Sequence, residues 1–147
     1  MEKSQTLFSS SPVDGKIVIY TDGGARGNPG PAACGFTING RPYGAYLGTT
    51  TNNVAEYQGV IQALKKVTAM IGKDKIKNTE LEVRMDSELL VKQFNNEYKI
   101  KEEHLQPLYV QVHNLVLDFK KVIFIHVRRE QNKEADAMVN KYLDVNQ

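Results

Sequence analysis

The spacing of apolar and polar side chains divides the chain into strand-like and helix-like stretches. Residues 16–21 (KIVIYT) are β-branched and aromatic and run into Gly23-Gly24, which predicts a strand closed by a turn. Residues 26–31 (RGNPGP) cannot hold regular structure and read as a loop. Residues 33–39 and 41–50 predict two strands joined at Asn39-Gly40, a dipeptide that tolerates the positive φ of a tight hairpin turn. Thr51, Asn52 and Asn53 offer helix caps, and Val54, Tyr57, Ile61, Leu64 and Val67 then recur at near-helical spacing. Residues 73–79 read as a polar connection. In residues 81–86, Leu81, Val83 and Met85 fall on one side of a strand that ends at Asp86-Ser87. A short helix follows through Leu89, Leu90, Val91 and Phe94. A longer one over residues 107–119 carries the stripe Leu108, Val112, Leu115 and Val116. Residues 122–127 predict a fifth strand, and residues 132–143 a closing helix.

The predicted order is β-β-β-α-β-α-α-β-α. An antiparallel run followed by βα alternation implies an α/β layered domain. Its five-stranded mixed sheet, three antiparallel strands then two parallel, is flanked by helices. There is no internal repeat or low-complexity tract, so residues 16–147 are expected to form one domain. Residues 1–15, with Ser9-Ser10-Ser11-Pro12, are expected to be a flexible N-terminal tail.

Composition adds only bounds. At 147 residues, 41% hydrophobic and 24% charged, the chain suits one soluble domain with a real core. Apolar runs such as Val122-Ile123-Phe124-Ile125 are too short to cross a bilayer, and residues 1–15 lack a signal-peptide core. The single cysteine, Cys34, excludes an intramolecular disulfide and a thiolate metal cluster, and fits a reducing cytoplasm. A net charge of +2 permits a polyanionic partner without pointing to one.

Candidate chemistry lies in four carboxylates. Asp22 and Asp86 stand at the ends of apolar strands, Glu56 in the first turns of a helix, and Asp136 early in the last helix. In open α/β sheets functional groups gather beyond the carboxyl ends of strands, where loops leave a crevice. Crowded carboxylates repel and raise one another's pKa, a cost that a divalent cation removes. Oxygen-only ligands suit Mg²⁺ or Mn²⁺. Two such ions about 3.5–4 Å apart serve in-line phosphodiester cleavage. The plainer alternative is that, among 17 acidic residues, some fall near element ends, where helix-start acids simply favour the macrodipole.

The neighbouring residues distinguish the two readings. Tyr20-Thr21-Asp22-Gly23-Gly24-Ala25-Arg26-Gly27-Asn28-Pro29-Gly30-Pro31 resembles the first motif of type 1 ribonucleases H. Thr51-Asn52-Asn53-Val54-Ala55-Glu56-Tyr57 is similar to the second, Met85-Asp86-Ser87 to the third, and Arg129-Glu130-Gln131-Asn132-Lys133-Glu134-Ala135-Asp136 to the fourth. The motifs stand in the family's order, and the resemblance covers residues 16–143. It implies a ribonuclease H-like fold and an endonuclease cutting the RNA strand of RNA/DNA hybrids to 5′-phosphate and 3′-hydroxyl ends. It also implies a two-metal site of Asp22, Glu56, Asp86 and Asp136 holding Mg²⁺ or Mn²⁺. Asn28 and Asn53 would then meet the hybrid's minor groove and Thr51 a phosphate of the DNA strand. The wide, shallow groove of an A-like duplex exposes 2′-hydroxyls to short polar side chains. Asn28 also suits a turn and Asn53 a helix cap, and either role is compatible with binding.

Departures from the family pattern matter too. The histidine-containing loop of many bacterial members is shortened here to residues 127–132, without histidine. In relatives with this compact pattern Arg129 matches the missing residue's place; it would offer charge to a departing phosphate, or act as a solvated cation, but cannot shuttle a proton. His126 is expected to be a packed strand residue. The tryptophan- and lysine-rich insertion of some relatives is absent: residues 95–106 mix lysine with glutamate, and the chain has no tryptophan. Glu88 stands where glutamine is common. A monomer in the cytoplasm is expected. A non-catalytic hybrid-binding module, a nuclease acting also on double-stranded RNA, and a transposase-like enzyme are the alternatives, the last disfavoured by small size.

Overall fold

The computed structural model describes residues 16–146, so the tail expected over residues 1–15 lies outside the described residues. Five strands form one sheet: β1 (Lys16–Ala25), β2 (Gly30–Ile38), β3 (Arg41–Thr50), β4 (Glu80–Met85) and β5 (Lys121–His126), in spatial order β3-β2-β1-β4-β5. β1 and β2 pair antiparallel, as do β2 and β3, while β4 pairs parallel with both β1 and β5. The helices are α1 (Asn52–Ile71), α2 (Lys73–Ile76), α3 (Glu88–Phe94), α4 (Gln106–Leu117) and α5 (Lys133–Val145). The mixed α/β sheet expected from the order of elements is therefore the one observed.

Two apolar layers hold it. On one face, Ile17, Ile19, Phe36, Ile38, Leu81 and Val83 of the sheet bury against Tyr57, Val60, Ile61, Leu64 and Val67 of α1. Leu90, Val91 and Phe94 of α3 and Val112 of α4 extend the same cluster, and Leu108, Leu115 and Val116 pack at its margin. On the other face a smaller cluster of Ala33, Val139 and Leu143 seats α5. The hairpin turn behaves as its sequence requires: Asn39 and Gly40 have φ of 46° and 86°. Asn39 is fastened to the centre of the sheet, its Oδ1 accepting from the Val18 N–H at 2.9 Å.

The local pattern is overridden in four places. β1 does not turn at Gly23-Gly24 but runs on to Ala25, because β2 keeps pairing with it as far as Ala25↔Ala32 and the glycines let helices approach its backbone. Within residues 73–79 a short helix, α2, buries Ile76 beneath α1's end. Glu82 alternates away from Leu81 and Val83 yet is buried, because Lys16 (2.7 Å) and Arg84 (2.5 Å) neutralise it on the opposite face. His126 is exposed rather than packed: it is the last residue of an edge strand, beyond the cover over Phe124. Among the described residues no helix is long and apolar enough to cross a membrane.

Candidate active site

The site forms where β1 loses one of its two neighbours. Parallel pairing with β4 ends at Thr21↔Met85, whereas antiparallel pairing with β2 continues four residues further. Asp22 thus lies within β1 at the opening of this fork, not at the strand's end as its sequence suggested. Asp86 is the first residue after β4, and Ser87 then caps α3 by accepting from the Leu90 N–H at 3.3 Å. Glu56 reaches the fork from α1, whose start is fixed by Thr51 Oγ1 accepting from the Val54 N–H at 3.2 Å. α1 comes this close because Gly59 has no side chain: a Cβ there would stand 2.8 Å from the Asp22 carbonyl oxygen.

One carboxylate oxygen from each of Asp22, Glu56 and Asp86 lies within 4.8 Å of the other two. All three residues are half-buried. Asp136, in the first turn of α5, is more exposed and faces Asp22 from the rim, close enough to help raise its carboxyl. The four acids line one cleft of about 420 Å³ together with Arg26, Asn52, Arg129 and Asn140. Asn140 holds the outer acid loosely, its Nδ2 donating to Asp136 Oδ2 at 3.5 Å, and Arg26 ties α5 to the β1–β2 loop through Asp144 at 2.7 Å.

Crowding shows in the electrostatics. Burial pushes the Asp22 carboxyl up to about 8, with the Asp86 charge and the Asp136 carboxyl adding to it against one favourable bond from the Gly23 N–H. Burial likewise pushes Glu56 up to about 7, helped by Asp86 and opposed by the Arg129 guanidinium. These are carboxylates held together against their own repulsion, with hard oxygen donors and no sulfur or imidazole among them. That donor set fits a divalent cation such as Mg²⁺ or Mn²⁺.

The remaining expected site residues surround the start of α1. Asn28 is exposed, and its Oδ1 accepts from the Asn52 N–H at 3.0 Å. Asn52 in turn accepts from the Ala25 N–H at 2.8 Å, so the β1–β2 loop and the helix start are clasped together. Thr51 is the helix cap, and Asn53 lies in the first turn, half-buried. Arg129 is exposed at the mouth of the cleft. Sequence reasoning passed over Asn52 as one cap candidate among three, and over Asn132 as the start of a helix. Asn132 is 1% exposed and donates from Nδ2 to the Thr21 carbonyl at 2.9 Å and to Asp86 Oδ2 at 3.2 Å. Its signal was an asparagine four residues before Asp136, inside a motif already under suspicion.

Residues 21–142 match a family model described as reverse transcriptase-like. The fold superposes on LC11-RNase H1, isolated from compost by a metagenomic approach, with a TM-score of 0.82 and 44% identity, covering 90% of this chain and 98% of that one. The chain belongs to the type 1 ribonuclease H family. A second structure of that ribonuclease H1 holds an RNA/DNA hybrid; it matches at 43% identity and a TM-score of 0.82, over 88% of this chain and 98% of that one. Among sequences, the chain is 38% identical over 136 residues to the bifunctional protein Rv2228c of Mycobacterium tuberculosis, and 35% identical over 136 residues to ribonuclease HI of Halobacterium salinarum. Each alignment covers 88% of this chain, but only 36% of the mycobacterial protein and 65% of the halobacterial one. The ribonuclease H member described here therefore corresponds to part of each relative's length.

Proposed function

We propose that residues 16–147 are a catalytic domain that hydrolyses the RNA strand of RNA/DNA hybrids, leaving 5′-phosphate and 3′-hydroxyl ends. The observation that carries this reading is the convergence of Asp22, Glu56 and Asp86 oxygens within 4.8 Å, with Asp136 at the rim of the same cleft. Membership of the ribonuclease H family and the hybrid held by LC11-RNase H1 support the choice of substrate.

In this reading Asp22, Glu56, Asp86 and Asp136 hold Mg²⁺ or Mn²⁺. Two such ions, when bound, supply a hydroxide-like nucleophile at neutral pH and stabilise the leaving oxygen. The chain's own groups do the rest. Asn28, Asn53 and Thr51 cluster at the start of α1, next to Asn52 of the cleft wall, and would meet sugar and phosphate across a wide minor groove, so recognition would follow duplex shape more than base sequence. Arg129 at the cleft mouth keeps Glu56 closer to its ionised form and offers positive charge to the phosphate as it departs. A pure binding module would gain nothing from half-buried acids facing a polyanion, since unpaired carboxylates only repel it.

The deciding experiment incubates end-labelled hybrid, duplex RNA and duplex DNA in parallel with Mg²⁺, with Mn²⁺ and with chelator. The expected result is cleavage of the hybrid's RNA strand that chelator abolishes. Failure to cut the hybrid with either metal, or cutting that survives chelation, would overturn the proposal.

A further inference from the structure

Asn132 precedes α5 at the position where an asparagine side chain ordinarily accepts a hydrogen bond from the first turn of the helix. It makes no such bond. Its amide is turned instead into the fork between β1 and β4, where Nδ2 donates to the Thr21 carbonyl (2.9 Å) and to Asp86 Oδ2 (3.2 Å). The Thr21 carbonyl stands at the last β1–β4 pair, and Asp86 is the first residue past it. Both partners are acceptors, so only the NH₂ end of the amide can face them, and the orientation is fixed by chemistry. The other end suffers for it: Asn132 Oδ1 is buried with no hydrogen-bond partner among the described residues. A residue serving helix geometry alone would cap α5 and leave nothing buried and unpaired. Here the cap bond and the Oδ1 partner are both forgone, and the group that gains is the Asp86 carboxylate.

We infer that Asn132 is a positioning residue for the cation site, holding Asp86 Oδ2 so that the other oxygen is aimed at Asp22 and Glu56. This rests on the reading of the acids as a metal site. Neighbours of this kind act by orienting the ligand, and removing them typically weakens metal affinity by about 10–100-fold.

The test is direct titration of the purified chain with Mn²⁺, followed by calorimetry, alongside thermal unfolding in chelator. Asn132→Ala removes the donor. Asn132→Ser keeps a residue well suited to cap α5 but too short to span Thr21 and Asp86, so it decides the matter if Asn132→Ala does not fold. The expected result is a dissociation constant for Mn²⁺ raised about 10–100-fold in the folded variants. The Asn132→Ser protein should melt near the parental temperature in chelator, and the KM for hybrid at saturating metal should be unchanged. Parental Mn²⁺ affinity in Asn132→Ser, with any loss confined to melting temperature, would overturn the inference and leave the proposed function intact. A parental chain that binds no Mn²⁺ would bring down the metal reading, and this inference with it.

Discussion

Gly23 of β1 and Ala55 of α1 touch backbone to backbone: a Cβ on Gly23 would stand 2.3 Å from the carbonyl carbon and oxygen of Ala55. The contact sits between Asp22 and Glu56 and sets how far apart their carboxylates can be. Gly23→Ala would have to push helix and strand apart, because the obstructing atoms are main chain and cannot rotate away. Overpacking that shifts the backbone costs about 1–3 kcal/mol, occasionally more, and two main-chain obstructions put this case at the upper end. The expected outcome is a large fall in the denaturant midpoint, with loss of Mn²⁺ binding in whatever fraction still folds.

The raised carboxyls predict a direction for pH dependence in the metal-free protein. Asp22 at about 8 and Glu56 at about 7 hold protons in the folded chain that the unfolded chain has already released by about pH 5. Their contribution to stability is therefore fully present below the unfolded values and is lost as pH rises through the folded ones. In chelator the melting temperature should fall between about pH 5 and pH 8 on this account. Asp22→Asn removes the larger part of the effect: its profile should be flatter and lie above the parent at pH 8, while hybrid cleavage is abolished. A variant that cleaves at the parental rate would take Asp22 out of the mechanism.

Arg129 opposes the upward shift of Glu56. Arg129→Ala should therefore move the Glu56 carboxyl midpoint in the metal-free protein further up, and Arg129→Lys should largely restore it. Carbon-detected NMR titration of the Glu56 side chain measures this directly. An unchanged midpoint would mean that the guanidinium is fully screened by solvent, and would leave Arg129 no electrostatic claim on the site.

Tyr57 and Gln93 form a buried link between α1 and α3, the phenol donating to Gln93 Oε1 at 2.6 Å. Tyr57→Phe keeps the ring in its contacts with Phe94 but strands a buried carbonyl oxygen. Leaving such an acceptor unpaired costs about 1–3 kcal/mol. Equilibrium unfolding in urea should show that loss, with specific activity per folded molecule unchanged.

Much of the architecture was legible because strand and helix periods are local. The stripe Val54-Tyr57-Ile61-Leu64 announces α1, and Asn39-Gly40 announces the hairpin. The acids were legible through the residues around them, since the sequence of Asp86-Ser87 alone carries almost no information. What was hidden depends on partners far along the chain. Gly23-Gly24 reads as a turn locally, yet α1 packs on it and β2 keeps pairing with it, so the strand continues. Glu82 alternates away from the apolar side of its strand, yet it is buried with Lys16 and Arg84 as ionic partners. Asn132 reads as a cap, yet its amide serves a strand and an acid 111 and 46 positions away.

The three clustered oxygens come from β1, α1 and the residue after β4, with the fourth acid on α5. Asp22 and Glu56 are joined by the hairpin and the helix start, but Asp86 arrives only when β4 docks beside β1. A ribosome that has released only the first three strands and α1 has thus made two of the acids and no coordination pocket. On the proposed reading, cutting power would be withheld from every incomplete molecule, and cation affinity would become a gauge of finished topology.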